Sequence, residues 1–426
     1  MIKDIYGRIT LIPDAEKIIK LPEFERLDDI KQLGCCGYVF PKAQHTRYSH
    51  SIGVAYLAQR TISQLQKNQP ELGITDSEVK CVTLAGLFHD IGHGPFSHFY
   101  DSWLHHRGTS EPWCEHEYRS GVIIQYMVDK YDLDITMKEI SMIQSMINPI
   151  KIPKDRRFLY QIIANKDFNL DVDKIDYLYR DAKTLQTGYH KFVSVYSIID
   201  NIRVHKNNLV LHEMNEMDVL NIFTMRYMFH KDTYNSVDSV AVNCLMEKMF
   251  DILQDEGDDN LIVDNESQID KFLTYTDSVI ESKLLEYPAS ARLYAIILSR
   301  SWWKSIGKFS ITKRVDYGKL KNRLNEVKER YPSIEIVSTK IGLVSGDKPN
   351  PLRCINFYAD GGEDKIEEEK IHKLDKFVLF HKNYQEIVIY VYRKSDIERR
   401  NEQILKTIST IIYEEEEIDD HSIGLL

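Results

Sequence analysis

The residues with the most distinctive chemistry lie between Leu87 and His98, where the sequence reads LFHDIGHGPFSH. An adjacent histidine and aspartate, His89 and Asp90, follow an apolar run, and His93 comes soon after them. Neutral imidazole and carboxylate groups bind divalent transition metals. Additional histidines beside a metal are suited to phosphate binding and proton transfer. The segment therefore makes metal-assisted hydrolysis the first hypothesis.

A metal site needs three or four inward-facing ligands, so this segment requires partners elsewhere in the chain. Eight of the 15 histidines lie between residues 45 and 116, which favours one local site over scattered residues. His50 begins a stretch with helical apolar spacing and can supply a third ligand. The segment 171–177, DVDKIDY, can supply a fourth. A single histidine is more often a packed or surface residue, and it is the ordered combination that favours a metal.

Two further groups of polar residues recur with the spacing of one helix face. The two stripes are Asp173, Tyr177 and Asp181, with Lys174 beside them, and Arg226, His230 and Tyr234. Arginine and lysine suit phosphate contacts, and tyrosine can stack or limit the size of a pocket. Each stripe is also compatible with an ordinary helix whose tyrosine packs and whose charges are solvated.

The elements that must position these residues are mainly helices up to about residue 307. Apolar spacing predicts helices within 14–130 and 115–250, one of them from Ser77 to Phe88 with a cap at Asp76 or Ser77. A hairpin is predicted near 202–212. Strand-like segments at 334–338, 355–358 and 386–392 predict a smaller α+β lobe, so the domains expected are 1–307 and 308–426. The charged runs 363–370 and 414–420 are interpreted as a solvated segment and an acidic tail.

Composition sets the broad class of the protein. The 426 residues are 43% hydrophobic and 28% charged, which is typical of a globular protein. The net charge of -10 excludes a general polycation for nucleic acid. There is no apolar run of membrane-spanning length and no signal-peptide core, and the six cysteines are scattered. We therefore predict no membrane contact, reduced thiols and an intracellular location, cytoplasmic or nuclear.

The ordered motifs resemble the HD-domain deoxynucleoside triphosphate triphosphohydrolases, especially the animal enzymes that join a sterile-alpha-motif domain to an HD domain. The resemblance covers roughly residues 4–310 and runs through 30–34, 38–41, 45–54, 86–98 and 171–177 before it reaches the second stripe. It implies a mainly α-helical HD fold with a smaller C-terminal lobe. We expect no sterile-alpha-motif domain ahead of Asp4.

The resemblance also implies a reaction and its residues. Water attacks the α-phosphorus of a deoxynucleoside triphosphate (dNTP) and releases a deoxynucleoside and inorganic triphosphate. The implied ligands of a transition metal (iron, manganese or zinc) are His50, His89, Asp90 and Asp173, and magnesium accompanies the phosphates. The implied catalytic residues are His116, as proton donor to the leaving 5′-oxygen, with His93 and His98 at the phosphates. The implied substrate-binding residues are Gln32, Leu33, Arg47, Asp101, Lys174, Tyr177, Asp181, Arg226, His230 and Tyr234.

The sequence departs from the regulated animal enzymes at their guanine-nucleotide site. Lys20, Glu25 and Asp28 stand where those enzymes carry an aspartate, a glutamine and an arginine. Exchange of acid and cation reverses the charge complementarity, so we expect no GTP-triggered assembly of the usual kind, although a homo-oligomer, dimer or tetramer, is expected.

Two alternatives stay open. One is an HD phosphohydrolase that acts on another nucleotide, such as a monophosphate or a signalling nucleotide. The other is a regulator that binds nucleotides or single-stranded nucleic acid, which the acidic net charge supports only weakly.

Overall fold

The computed structural model describes residues 1–109, 112–257, 260–313, 315–342, 351–359, 371–373, 385–394 and 401–422. Helices dominate residues 13–298, which confirms the predicted mainly α fold. The helices are α1 Pro13–Ile18, α2 Pro22–Glu25, α3 Cys36–Val39, α4 Arg47–Asn68, α5 Asp76–Phe88, α6 His98–His106, α7 His116–Tyr131, α8 Met137–Ile147, α9 Arg157–Ile163, α10 Val172–Thr184, α11 Val195–Asp200, α12 Glu216–Phe229, α13 Val237–Glu256, α14 Ile269–Phe272, α15 Asp277–Glu286, α16 Pro288–Leu298, α17 Tyr317–Arg330 and α18 Asn401–Ser422. The strands are β1 Ile2–Asp4, β2 Gly7–Ile9, β3 Arg203–His205, β4 Asn208–His212, β5 Lys304–Ile311, β6 Ile334–Gly342, β7 Phe357–Tyr358, β8 Ile371–His372 and β9 Gln385–Arg393.

The helices that carry the candidate ligands have well-defined starts. Thr46 caps α4, and Asp171 caps α10 by accepting the N–H of Lys174 at 2.9 Å. The cap of α5 is Thr75, and the prediction of Asp76 or Ser77 was wrong. Thr75 and Glu78 form a capping box in which each side chain accepts the other's backbone N–H, and this arrangement selects the earlier residue.

In the described part of the chain, three small sheets accompany the helices. β1 and β2 form an N-terminal hairpin. β3 and β4 form the hairpin predicted near 202–212, with Lys206 and Asn207 at its turn in the left-handed region, φ 45° and 65°. β4 pairs in parallel with β7, which joins this hairpin to the C-terminal part of the chain. The third sheet has the order β5-β9-β6, with antiparallel pairs only.

The C-terminal lobe shares a core with the helices. Alternate residues of β9 pack on opposite sides: Val388, Tyr390 and Tyr392 in the main helical core, and Ile387, Ile389 and Val391 in a second core with α17 and α18. β5 begins at Lys304, close to the predicted boundary at 307/308, which stays a prediction.

Part of the expected acidic tail is structural. The segment 414–420 lies within α18, where Glu415 is buried and its carboxylate pairs with Arg323 at 2.8 Å and Lys319 at 3.3 Å. A buried carboxylate requires such partners, so the interpretation of the whole run as a solvated tail was wrong. The other charged run, 363–370, lies outside the described residues.

All six cysteines are free thiols, as predicted. None of the helices in the described part of the chain combines the length and apolar character needed to cross a membrane.

Candidate metal centre and active site

Four side chains from α4, the end of α5 and α10 converge on one point. The Nε2 atoms of His50 and His89 are 3.1 Å apart, and Asp173 Oδ1 lies 3.1 Å from the first and 3.5 Å from the second. Asp90 places its two oxygens 3.4 Å and 3.3 Å from the same two nitrogens. Ligand atoms around a metal at about 2.1 Å are separated by roughly 3.0–3.5 Å. The spacing of His50, His89 and Asp90 therefore fits a single ion, and Asp173 lies beside the two imidazoles.

The protonation of the two imidazoles supports the same conclusion. His50 Nδ1 lies 2.8 Å from Asp176 Oδ2, and His89 Nδ1 lies 2.8 Å from the carbonyl oxygen of Gly86. Both Nδ1 atoms face acceptors and must carry the proton, which leaves the Nε2 lone pairs directed at each other and at two carboxylates. Two imidazole nitrogens and two carboxylates that face one another in this way suit a bound cation, so these residues fit a metal.

Asp90 stays ionised despite its burial. Burial alone would raise its pKa, but Arg47 and His89 hold the pKa of this carboxyl well below its usual range. Arg47 donates to Asp90, and its Nε donates to Ser97 Oγ at 2.9 Å. Ser97 and Phe96 are both in the left-handed region, φ 61° and 59°. This backbone strain lies next to the site, where strained conformations commonly serve a functional arrangement.

A second cluster of histidines lies beside the ligands. His116, at the start of α7, has its Nδ1 2.7 Å from Asp101 Oδ2 and its Nε2 3.9 Å from Asp90 Oδ1. Burial lowers the pKa of His116, but Glu117 and Asp101 outweigh it and raise the pKa to about 9. Arg119 also donates to Asp101 and keeps that carboxylate in place. The neighbouring carboxylates therefore favour the protonated ring of His116, whose Nε2 is directed toward the metal centre.

His93 and His98 differ from His116 in charge and exposure. The His93 ring stacks on His116 with centroids 3.8 Å apart, and burial, Arg47 and His116 hold its pKa well below the usual value. His98 lies at the start of α6 with 70% of its side chain exposed, and its ring is 5.3 Å from that of His116. A neutral and an exposed histidine thus flank the protonated one.

The two predicted stripes, on α10 and on α12 with the turn that follows it, lie close together. Burial raises the pKa of Tyr177, and the charges of Arg226 and Lys174 counteract it. His230 has its pKa held well below its usual value, first by burial and then by the nearby charges of Arg226, His98 and Lys174. Arg226 and Lys174 therefore lie close to both Tyr177 and His230, an arrangement suited to a polyanion.

Asp181 and Tyr234, the last residues of the two stripes, are in direct contact. The Tyr234 hydroxyl donates to Asp181 Oδ2, and His45 Nε2 lies 2.6 Å from Asp181 Oδ1. The second stripe was predicted as one α-helical face, but residues His230–Tyr234 form a π-helical turn closed by the bond from Asn235 N–H to the His230 carbonyl, 3.1 Å. Such turns frequently occur at functional sites, and this one rotates Tyr234 toward Asp181.

The remaining candidates lie at the edge of the site. Gln32 is buried, and its carbonyl accepts from Arg47 at 3.3 Å, while Leu33 is half-buried in the same turn. Lys174 Nζ is 3.5 Å from Asp171. Sequence reasoning missed the residues that hold the site residues in place, which are His45, Asp176 and Arg119. His45 was visible in the histidine cluster and Asp176 in the segment 171–177, although neither was given this role, whereas Arg119 had no signal of its own.

Comparisons with known proteins agree with this geometry. The family model described as "HD domain" matches residues 47–164. The chain is 30% identical to a Dictyostelium discoideum protein named deoxynucleoside triphosphate triphosphohydrolase SAMHD1 homolog, over 92% of this chain and 76% of that protein. It is 30% identical to an HD domain-containing protein of Acanthamoeba polyphaga mimivirus, over 92% and 91% of the two chains.

The human deoxynucleoside triphosphate triphosphohydrolase SAMHD1 is 27% identical, over 92% of this chain and 69% of the human protein. The matches extend beyond the HD domain into the C-terminal lobe, since they cover most of the chain. The chain therefore belongs to the family of HD-domain deoxynucleoside triphosphate triphosphohydrolases.

Proposed function

We propose that this protein hydrolyses dNTPs to a deoxynucleoside and inorganic triphosphate, with a metal held by His50, His89, Asp90 and Asp173. The observation that carries the proposal is the position of the imidazolium of His116, 3.9 Å from a carboxylate of the metal centre. Two imidazoles and two carboxylates are suited to iron, manganese or zinc. A bound metal of this kind supplies a water molecule of lowered pKa.

His116 is proposed as the general acid. Attack at the α-phosphorus breaks its bond to the 5′-oxygen of the nucleoside, and that oxygen needs a proton as it leaves. Asp101 holds Nδ1 of His116, so the proton on Nε2 is the one presented to the substrate.

The triphosphate requires cations along its length, because it carries several negative charges. Lys174, Arg226 and His98 are proposed to contact it, together with the inner residues Arg47 and His93. Magnesium is proposed to accompany the phosphates, because the anionic phosphate oxygens of the substrate are hard ligands that Mg²⁺ prefers.

The sugar and base are proposed to lie against Tyr177, Asp181 and Tyr234. Asp181 already accepts two hydrogen bonds, from His45 and Tyr234, and retains acceptor capacity for a sugar hydroxyl. A ribose 2′-hydroxyl would meet the Tyr177 ring without a partner, which disfavours ribonucleotides. Gln32, Leu33 and His230 are proposed to complete this end of the pocket.

Product identification tests the proposal. The purified chain is incubated with each dNTP and each NTP, and the products are separated by chromatography. We expect tripolyphosphate and deoxynucleoside from dNTPs only, and no product from the Asp90→Asn variant. Release of orthophosphate or pyrophosphate would point instead to a phosphohydrolase acting on another nucleotide or bond.

We also propose that activity does not depend on GTP. Lys20, Glu25 and Asp28 are all exposed, and Asp28 accepts a hydrogen bond from Thr46 at 2.9 Å. Lys20 and Asp28 carry charges opposite to those expected for a guanine-nucleotide site, and Glu25 places a negative charge where a neutral amide is expected. Rates with and without added GTP should agree, and an enzyme that is inactive until GTP is added would contradict this. A homo-oligomer, dimer or tetramer, in the cytoplasm or nucleus completes the proposal.

A further inference from the structure

A chain of buried charged groups extends from the back of the metal centre to the N-terminus. His50 Nδ1 lies 2.8 Å from Asp176 Oδ2. Asp176 in turn accepts two bonds from Arg180, from Nε at 2.8 Å and from Nη2 at 3.0 Å. The other edge of the Arg180 guanidinium donates to Asp4 of β1, from Nη1 to Oδ2 at 3.0 Å and from Nη2 to Oδ1 at 3.3 Å.

The packing around this chain leaves little freedom for its members. The side chains of Asp4, Asp176 and Arg180 are at most 5% exposed. A Cβ atom on Gly53 of α4 would lie 2.2 Å from both Arg180 Nη2 and Asp176 Oδ1, so α4 approaches α10 at a position that only glycine permits. The guanidinium is therefore fixed between two carboxylates in a site that excludes water.

We propose that Asp176, Arg180 and Asp4 are positioning residues for the metal centre, with the N-terminal hairpin as the outer member of the series. Asp176 fixes the tautomer of His50, because the proton on Nδ1 leaves the Nε2 lone pair free for the metal. Its negative charge also makes Nε2 a stronger donor. Arg180 holds both oxygens of Asp176 in place, and Asp4 holds Arg180.

The electrostatic balance supports this role. Asp176 and Asp4 carry two negative charges and Arg180 one positive charge, so one net negative charge lies behind His50. This net charge attracts a bound metal ion and stabilises it. Interactions between buried groups are stronger than in water. Removal of the outer carboxylate should therefore weaken metal binding less than removal of the inner one.

The test measures metal binding, because the inference rests on the metal centre of the proposed function and not on its substrate. The full chain is stripped with a chelator and titrated with Mn²⁺, and free Mn²⁺ is read by electron paramagnetic resonance. We expect Asp176→Ala to weaken Mn²⁺ binding about 10–100-fold, as outer-shell changes commonly do. Asp176→Asn, which keeps an acceptor for His50, and Asp4→Asn should have smaller effects in that order.

A control with the same bonding geometry lies away from the metal centre, between α4 and Asp200 at the end of α11. Arg60 of α4 donates two bonds of 2.8 Å to Asp200 in the same geometry as the Arg180–Asp176 pair, but this pair contacts no candidate ligand. Asp200→Asn should leave Mn²⁺ affinity within twofold of the wild type. The thermal unfolding of each metal-free variant shows whether it is folded, and the milder Asp176→Asn and Asp4→Asn variants keep the test valid should Asp176→Ala fail to fold.

The two proposals fail in different ways. A wild-type chain that binds no Mn²⁺ would overturn the metal centre itself. A wild-type chain that binds Mn²⁺, together with folded Asp176→Ala or Asp176→Asn variants of unchanged affinity, would overturn only the positioning role.

Discussion

At the scale of single residues, the site depends on two stacked imidazoles in opposite protonation states. Glu117 and Asp101 raise the pKa of His116 to about 9, whereas burial, Arg47 and His116 hold the pKa of His93 well below its usual value. Two adjacent positive charges would repel, so protonation of one ring disfavours protonation of the other. His116, whose Nδ1 is already bound by Asp101, is therefore the proposed acid.

The first prediction concerns that acid. His116→Gln should lower kcat for dNTP hydrolysis about 10²–10⁴-fold, the usual contribution of a general acid, while metal content is unchanged. Product release is measured by chromatography, and metal by elemental analysis. The control is His106→Gln, since His106 is 63% exposed and pairs with Glu247 on the surface. Equal losses in both variants would contradict the assigned role.

The sequence predicted those site residues that belong to short motifs of neighbouring residues. The adjacent His89 and Asp90 and the order of the motifs indicated residues that the structure brings together. Their supporting contacts could not be predicted in the same way. His45 meets Asp181 across 136 positions and Arg119 meets Asp101 across 18, so only tertiary packing creates these bonds.

At the scale of elements, helix periodicity predicted most helices and misjudged one turn. The prediction that Arg226, His230 and Tyr234 share one face uses the α-helical period of about 3.6 residues per turn. The π-helical turn after α12 changes the direction of the Tyr234 side chain. No residue type specifies such a turn, because it forms when packing favours a displaced side chain over one regular hydrogen bond.

The second prediction concerns the contact between α7 and the ligand loop. A Cβ atom at Gly92 would lie 2.2 Å from the carbonyl oxygen of His116 and 2.4 Å from the backbone nitrogen of Ser120. Gly92→Ala should therefore displace the start of α7, lower stability by about 1–3 kcal/mol and reduce kcat. Thermal unfolding and steady-state kinetics measure both effects.

The control for Gly92→Ala lies on α7 itself. A Cβ atom at Gly121 would meet only the Gln144 side chain, at 3.6 Å or more. Gly121→Ala should stabilise the protein by about 0.5–1 kcal/mol, because alanine is the better helix former, and should leave kcat unchanged. A Gly92→Ala variant that behaves like Gly121→Ala would show that the loop adjusts freely.

The third prediction concerns Asp277, which joins α15 to two loops of the site. Its carboxylate accepts the backbone N–H groups of Lys31 at 3.0 Å and Phe96 at 2.7 Å. Burial raises its pKa from 3.8 to about 7 despite these bonds. Because the native state binds this proton more tightly than the unfolded chain, the contribution of Asp277 to stability is greatest below about pH 4 and falls as the pH rises to about 7.

Comparison with Asp277→Asn isolates this contribution. We take the unfolding free energy of the wild type minus that of the variant. This difference should decrease between pH 4 and pH 7 by at most about 4 kcal/mol, which is the free energy that corresponds to a rise of the Asp277 pKa from 3.8 to about 7. Urea unfolding at several pH values measures the difference. A difference that is constant, or that increases with pH, would show that the two N–H bonds keep Asp277 ionised throughout.

At the scale of the whole molecule, the C-terminal lobe is part of the same folded unit as the catalytic helices. Tyr390 and Tyr392 are fully buried in the main core, and their hydroxyls donate to the carbonyl oxygens of Asn235 at 2.5 Å and Val237 at 2.7 Å. Glu386 is buried too and accepts from Tyr227 of α12 at 2.7 Å. The lobe therefore supports the turn that follows α12, which carries His230 and Tyr234.

The last prediction follows from this shared core. A chain that ends at residue 307, the boundary expected from sequence, should lack a cooperative unfolding transition or be insoluble. Removal of the lobe exposes the surface of the helical core against which Tyr390 and Tyr392 pack. Each large buried side chain contributes about 1.5–3 kcal/mol, which is a substantial part of a typical unfolding free energy of about 5–15 kcal/mol. The truncation also removes the carbonyl of Gly342, to which Arg226 Nη1 donates at 2.9 Å, so any folded fraction should bind dNTPs more weakly. Calorimetry and dNTP titration test both effects against Glu402→Ala, an exposed position in the lobe that should be neutral. A 1–307 chain with full stability and activity would show instead that the lobe is a dispensable addition to an independent catalytic domain.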